Sequence, residues 1–133
     1  MQLSKKFITT SLIFASFMIS VPATFAASSI YFCEETGTYG YSYDAKTLKA
    51  AKDTALKFCK KYKGTACKEL VSTDQKGYGA IAEGETEDGT PTIGAAIGAE
   101  TPKEAQDTAI KYCKEAGCLN PKVTQKWKDS IKK

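Results

Sequence analysis

The chain has 133 residues, nineteen basic and fifteen acidic, and a formal charge of +4. Every basic residue is lysine: with no arginine there is no planar fork for gripping phosphate or carboxylate, and with no histidine Ser-His-Asp and Cys-His catalysis and the His-containing zinc sites are excluded. So small a positive balance also argues against strong electrostatic capture of nucleic acid.

Lys5 and Lys6 precede an uncharged, largely apolar run from Phe7 to Val21, and Pro22-Ala23-Thr24-Phe25-Ala26 supplies small residues where a signal peptidase reads. Residues 1–26 therefore read as a signal peptide cleaved after Ala26. The run is shorter than the ~20 residues of a membrane span, and no stop-transfer pattern follows, so no stable membrane insertion is expected once the leader is gone. Loss of the two leader lysines lowers the charge from +4 to +2. The rest, 27–133, reads as a single small domain with a periplasmic or extracellular address.

Ser28 to Glu35 alternates like a strand, Thr36-Gly37 is a turn, and Tyr39-Gly40-Tyr41-Ser42-Tyr43 is a second strand. Thr47 can cap a helix whose Leu48, Ala51, Ala55, Cys59 and Tyr62 share one face, widened by Phe58; Gly64 stops it. Cys67 to Thr73 is a third strand. Gly79 to Glu83 is a strand, Asp88-Gly89 a hairpin turn, and Thr92 to Ala99 the next strand. Thr101-Pro102-Lys103-Glu104 opens a helix with a capping threonine and an N-terminal proline. Ala105, Ala109, Tyr112, Cys113 and Ala116 form its buried stripe, and Gly117 ends it. Cys118 to Trp127 holds the last strand, and Trp127 to Lys133 reads as a frayed basic terminus or, less simply, as one able to touch an anionic surface.

The block from Asp53 to Lys60 returns from Asp107 to Lys114, with Tyr39-Gly40 matching Ile93-Gly94 and Tyr43 matching Ile97. A repeat of this kind dictates architecture. The expected fold is α+β: two tandem ββαβ repeats, about 28–76 and 77–127, forming one mainly antiparallel sheet of about six strands with both helices on one face.

Five cysteines in a small exported chain read as a disulfide framework. Equivalence of position selects Cys59 with Cys67 and Cys113 with Cys118, each bond pinning a helix end to the strand that leaves it. Cys33 is then left over as a possible free thiol, a link to a second chain, or a member of another pairing.

These residues resemble a bacterial family known as domain of unknown function 4189: Tyr39-Gly40-Tyr41-Ser42, the alanine-spaced helix ending in Cys59, Cys67 opening a strand, and Gly79-Ala80-Ile81-Ala82, with Cys113 and Cys118 repeating the signature. The resemblance implies a small exported protein with few cysteines and no assigned biochemical role, so no functional residues carry over. The family often has a further cysteine just before the alanine-containing strand; here Gly77, Tyr78 and Gly79 stand there, which leaves Cys33 without that partner.

Two residue groups are candidate sites. Glu83, Glu85 and Glu87 alternate and would share a strand face; they read as a charged hairpin end or, less simply, as a calcium or acid–base cluster. Tyr39, Tyr41 and Tyr43 share a face too. The repeat sets Tyr39 and Tyr43 opposite Ile93 and Ile97, which reads them as core, while Tyr41, with Tyr31 and Tyr78, is a candidate contact residue. No catalytic set, cofactor motif or metal-ligand spacing is present. The functional expectation is a binding protein with a protein partner in the cell envelope, for example an inhibitor or immunity protein; a carboxylate-dependent envelope hydrolase and a secreted effector are the alternatives. Monomer and dimer are both open.

Overall fold

The computed structural model describes residues 26–129. Residues 1–25, on which the signal-peptide reading falls, and residues 130–133 lie outside the described residues. The elements are β1 (Ala27–Phe32), β2 (Tyr39–Ala45), α1 (Leu48–Lys61), β3 (Lys68–Thr73), β4 (Tyr78–Glu85), β5 (Pro91–Ala99), α2 (Pro102–Glu115) and β6 (Lys122–Lys128).

The fold is α+β, with strand, strand, helix, strand occurring twice. The six strands, however, divide into two three-stranded antiparallel sheets, β2-β1-β3 and β5-β4-β6, and do not form one continuous sheet. The reason lies in strand alternation. In β2, Gly40 faces α1, where a Cβ would overlap the Ala55 carbonyl and the Cys59 amide; Tyr39 and Tyr41 face the other way. Both faces of each sheet are apolar, so each needs two covers. A helix supplies one and the sister sheet the other. Ile30, Phe32 and Val71 meet Ile81, Ile93, Ala95 and Trp127 between the sheets, while Ala80, Ala82 and Ala96 pack with Ala105, Ala109 and Cys113 under α2. The helices thus lie on opposite outer faces of a four-layer stack, not together on one face.

The two units agree in fine detail. When Ile30 is matched to Ile81, the register shifts of β1 and β4 coincide on both sides: after Ala27 and Tyr78 toward β2 and β5, after Ile30 and Ile81 toward β3 and β6. Asp44 (φ 57°) matches Gly98 (φ 69°), and Lys63 (φ 71°) matches Gly117 (φ 103°). Thr47 accepts from the Ala50 N–H and Thr101 from the Glu104 N–H, each at 3.0 Å, satisfying helix-end donors as N-caps do. Lys63, not Gly64, is the left-handed residue that closes α1. Gly64 instead leaves room for sulfur: a Cβ there would crowd both Cys59 and Cys67 Sγ.

The buried faces of the helices are small: Ala51, Ala55 and Cys59 on α1, Ala105, Ala109 and Cys113 on α2. A methyl-sized side chain contributes only ~0.8 kcal/mol on burial. Covalent bracing therefore matters here. Cys59–Cys67 ties α1 to β3 and Cys113–Cys118 ties α2 to the segment entering β6, each stabilising by roughly 2.5 kcal/mol in the chain-entropy account. Cys33 is unpaired and buried.

The C-terminal end of β6 is not a loose basic tail. Trp127 is buried in the inter-sheet core, and Asp129 is 2% exposed. The Asp129 carboxylate accepts from Ser28 Oγ at 2.6 Å and from the Asp44 N–H at 2.8 Å, and its own N–H donates to the Gly77 carbonyl. One residue thereby fastens the starts of β1 and β4 and the ends of β2 and β6, its carboxylate holding β1 and β2 and its backbone N–H holding the residue before β4. Burial raises its pKa above the ordinary 3.8.

A groove along the open edge of β2

β2 is an edge strand. The Cys33 N–H donates to the Thr38 carbonyl at 2.9 Å, and the register runs Phe32 to Tyr39, Tyr31 to Gly40. Antiparallel alternation then turns the backbone groups of Gly40 toward β1 and those of Tyr39 and Tyr41 toward the open edge.

A cavity of about 560 Å³ runs along that edge, lined by Gly37, Thr38, Tyr39, Gly40, Tyr41, Tyr43, Phe58, Tyr62 and Gln125. It draws from both faces of the sheet: Phe58 and Tyr62 descend from α1, while the three β2 tyrosines and Gln125 come from the inter-sheet side. Tyr39 donates to Glu83 Oε2 at 2.7 Å and Tyr41 to Gln125 Oε1 at 2.8 Å. Trp127 backs the wall, its ring 5.0 Å from Tyr41 and 5.5 Å from Tyr43, both near parallel. These hydrogen bonds and stacks fix the tyrosine rotamers, so the wall is preformed. Burial, then the Glu83 carboxylate, pushes the Tyr39 phenol up to about 12; burial, then the neighbouring Tyr43 and Tyr62 phenols, raises Tyr41. Both hydroxyls stay protonated donors at neutral pH.

The sequence candidates are dispersed. Tyr41 is in the groove. Tyr31 is the register partner of Gly40 and so lies on the α1 face of its sheet. Tyr78 packs beside the α2 cluster, with Lys128 Nζ 5.5 Å above its ring. Glu83 is committed to Tyr39 and to the Thr124 hydroxyl. Glu85 is exposed at the end of β4 and Glu87 in the following turn. Among the described residues no group of three or more Cys, Asp or Glu is placed to hold a metal ion. Cys33 sits under the β1–β2 turn with no solvent exposure; hydrogen bonds from Thr36 and from the Ala66 N–H draw its thiol down to about 6 against the effect of burial.

Tyr43 and Tyr62 are corrections to the core reading, at 45% and 57% exposed, and so are Tyr112, at 49%, and the exposed Ala116 on the second helix. Phe58, Tyr62 and Gln125 were missed as groove residues. The available signal was the departure from the repeat at Tyr62 and Gln125, which stand where the other unit has Ala116 and Val71; Phe58, matched by the aromatic Tyr112, gave none.

No curated protein and no solved structure matches the chain. The family described as Domain of unknown function (DUF4189) matches residues 25–126, nearly the whole of both units, and the chain belongs to that family.

Proposed function

We propose that this is an exported, disulfide-braced binding protein that holds another protein of the cell envelope, with the β2 groove as its contact surface. An inhibitor or immunity protein directed at a cell-wall enzyme or toxin is the concrete form. Two disulfides fit an oxidising compartment, and among the described residues no helix is long and apolar enough to cross a membrane. The observation that carries the reading is the collection of five aromatic side chains at one open strand edge, in one unit of a duplicated fold. Tyrosine is enriched where proteins meet, because it offers a large rigid face with a polar tip.

Affinity capture of the tagged protein from its native compartment tests this. The wild type should return a specific partner, and Tyr43→Ala with Tyr62→Ala should lose it while folding normally, since both rings are exposed. Capture unaffected by that pair of substitutions refutes the groove as the surface.

A further inference from the structure

The proposed contact surface has a chemistry that narrows its occupant, and this step rests on that reading. Three features coincide at β2. Backbone donors and acceptors of Tyr39 and Tyr41 point out of the sheet edge, the pattern that pairs with an added strand. The lining carries no charged side chain. The lip formed by α1 is basic: Lys61 Nζ lies 5.9 Å over the ring of Phe58, which lines the groove, and Lys57, one turn earlier, shares the flank of the helix that carries Lys61.

That lip is locally unfavourable. Like charges four residues apart on a helix destabilise it by a few tenths of a kcal/mol. Lys57 and Lys61 are exposed and form no ion pair among the described residues, whereas Lys49 and Lys52 pair with Asp53 and Glu69. The second unit breaks the same arrangement, placing Glu115 opposite Lys111. Glu34 and Glu35 stand in the β1–β2 turn at one end of the groove, and the Glu83 carboxylate behind the wall is taken up by the Tyr39 hydroxyl.

We infer that β2 receives an extended, acidic segment of the partner protein, which adds as a fourth strand to the β2-β1-β3 sheet, seats alternate side chains against the tyrosine wall, and turns the intervening carboxylates to the α1 face, past Phe58 toward Lys57 and Lys61.

The probe is a synthetic, end-blocked heptapeptide alternating glutamate with valine, set against its lysine–valine counterpart and a neutral chitin hexasaccharide, with the full exported protein. The acidic peptide should bind at least tenfold tighter than the lysine peptide, weaken with salt, and slow hydrogen exchange at the Tyr39 and Tyr41 amides, leaving Gly40, already turned to β1, unchanged. Lys57→Glu with Lys61→Glu, both on exposed positions, should reverse the preference. Equal binding of the two peptides, binding without protection of Tyr39 and Tyr41, or tighter binding of the hexasaccharide overturns the inference. So does protection of those amides by self-association in the absence of peptide, which would make the occupant a second copy. If the peptides fail while Tyr43→Ala with Tyr62→Ala still abolishes capture of the native partner, the groove stands as the contact surface and only the acidic strand is lost.

Discussion

Along β2 the first unit places Tyr39, Tyr41 and Tyr43; along β5 the second places Ile93, Ala95 and Ile97. Across the stack, β6 offers Gln125 and Trp127 to the first set, and β3 offers Val71 and Thr73 to the second. At the β3–β5 side the small residues let the backbones come within 8 Å of each other, Cα to Cα. At the β2–β6 side stacked rings stand between the strands and a groove opens. Positions that fold the unit are the same in both copies: Gly40 and Gly94, Ala55 and Ala109, Cys59 and Cys113. Most of the large side chains that line the groove diverged: Tyr39, Tyr41, Tyr43, Tyr62 and Gln125 stand against Ile93, Ala95, Ile97, Ala116 and Val71. A duplicated chain thus carries its own comparison, in which shared residues report folding and unshared ones mark where the copies differ.

The comparison can be broken most forcefully at the shared glycines. A Cβ on Gly40 would overlap α1 backbone, and one on Gly94 would overlap the Ala109 carbonyl and Cys113 amide of α2. Gly40→Ala and Gly94→Ala should each cost about 3 kcal/mol, the upper range for overpacking, and by similar amounts in denaturant unfolding. A large cost at one and none at the other would deny that the units are equivalent. Next come the staples. Replacing Cys59 and Cys67 by serine should cost roughly 2.5 kcal/mol, and the Cys113–Cys118 pair slightly less because its loop is shorter; unfolding midpoints with and without reductant check this.

A smaller effect separates the two sides. Asp129 clasps the β2–β6 side, whereas its counterpart by position is Gln75. Burial raises the Asp129 pKa above 3.8, so the native state binds this proton more tightly than the unfolded chain does. Its contribution to stability is therefore largest when the carboxyl is protonated, and it falls as pH rises from about 3.8 through the raised value. Asp129→Asn should remove that slope, seen as a wild-type-minus-variant difference in unfolding free energy that changes through the acidic range and is flat above it. Parallel curves would mean the clasp is not a titrating element. The smallest effect is at the helix ends. Lys63 adopts φ 71° where the second unit has Gly117, so Lys63→Gly should stabilise by about 0.5–1 kcal/mol, while Gly117→Ala should destabilise by a similar amount.

Local features were legible in the sequence. Thr47 and Thr101 announced the helix starts, and the repeat paired the cysteines, because caps and short staples are decided within a few residues. How the sheets are covered was not legible. Alternation shows that a strand has two unlike faces, but not whether a helix or another sheet lies on each, and so one sheet of six strands was expected where two are stacked. Tyr62 read as core because it follows Ala55 and Cys59 on one stripe; it caps the helix, where the stripe has already left the sheet. Tyr43 read as core through its match to Ile97. Trp127 and Asp129 were hidden among lysines that make the terminus look solvated, although alternate residues of β6 point inward.

The central claim is that the two copies share a scaffold and only one carries the recognition surface. Partner capture decides it, with two exposed or half-exposed apolar side chains removed from each copy: Phe58→Ala with Tyr62→Ala in the first, and Tyr112→Ala with Leu119→Ala in the second, where the counterpart of Tyr62 is already alanine. The first pair should lose the partner and the second keep it, with both proteins folded. Equal capture by the two, or loss confined to the second pair, would contradict it.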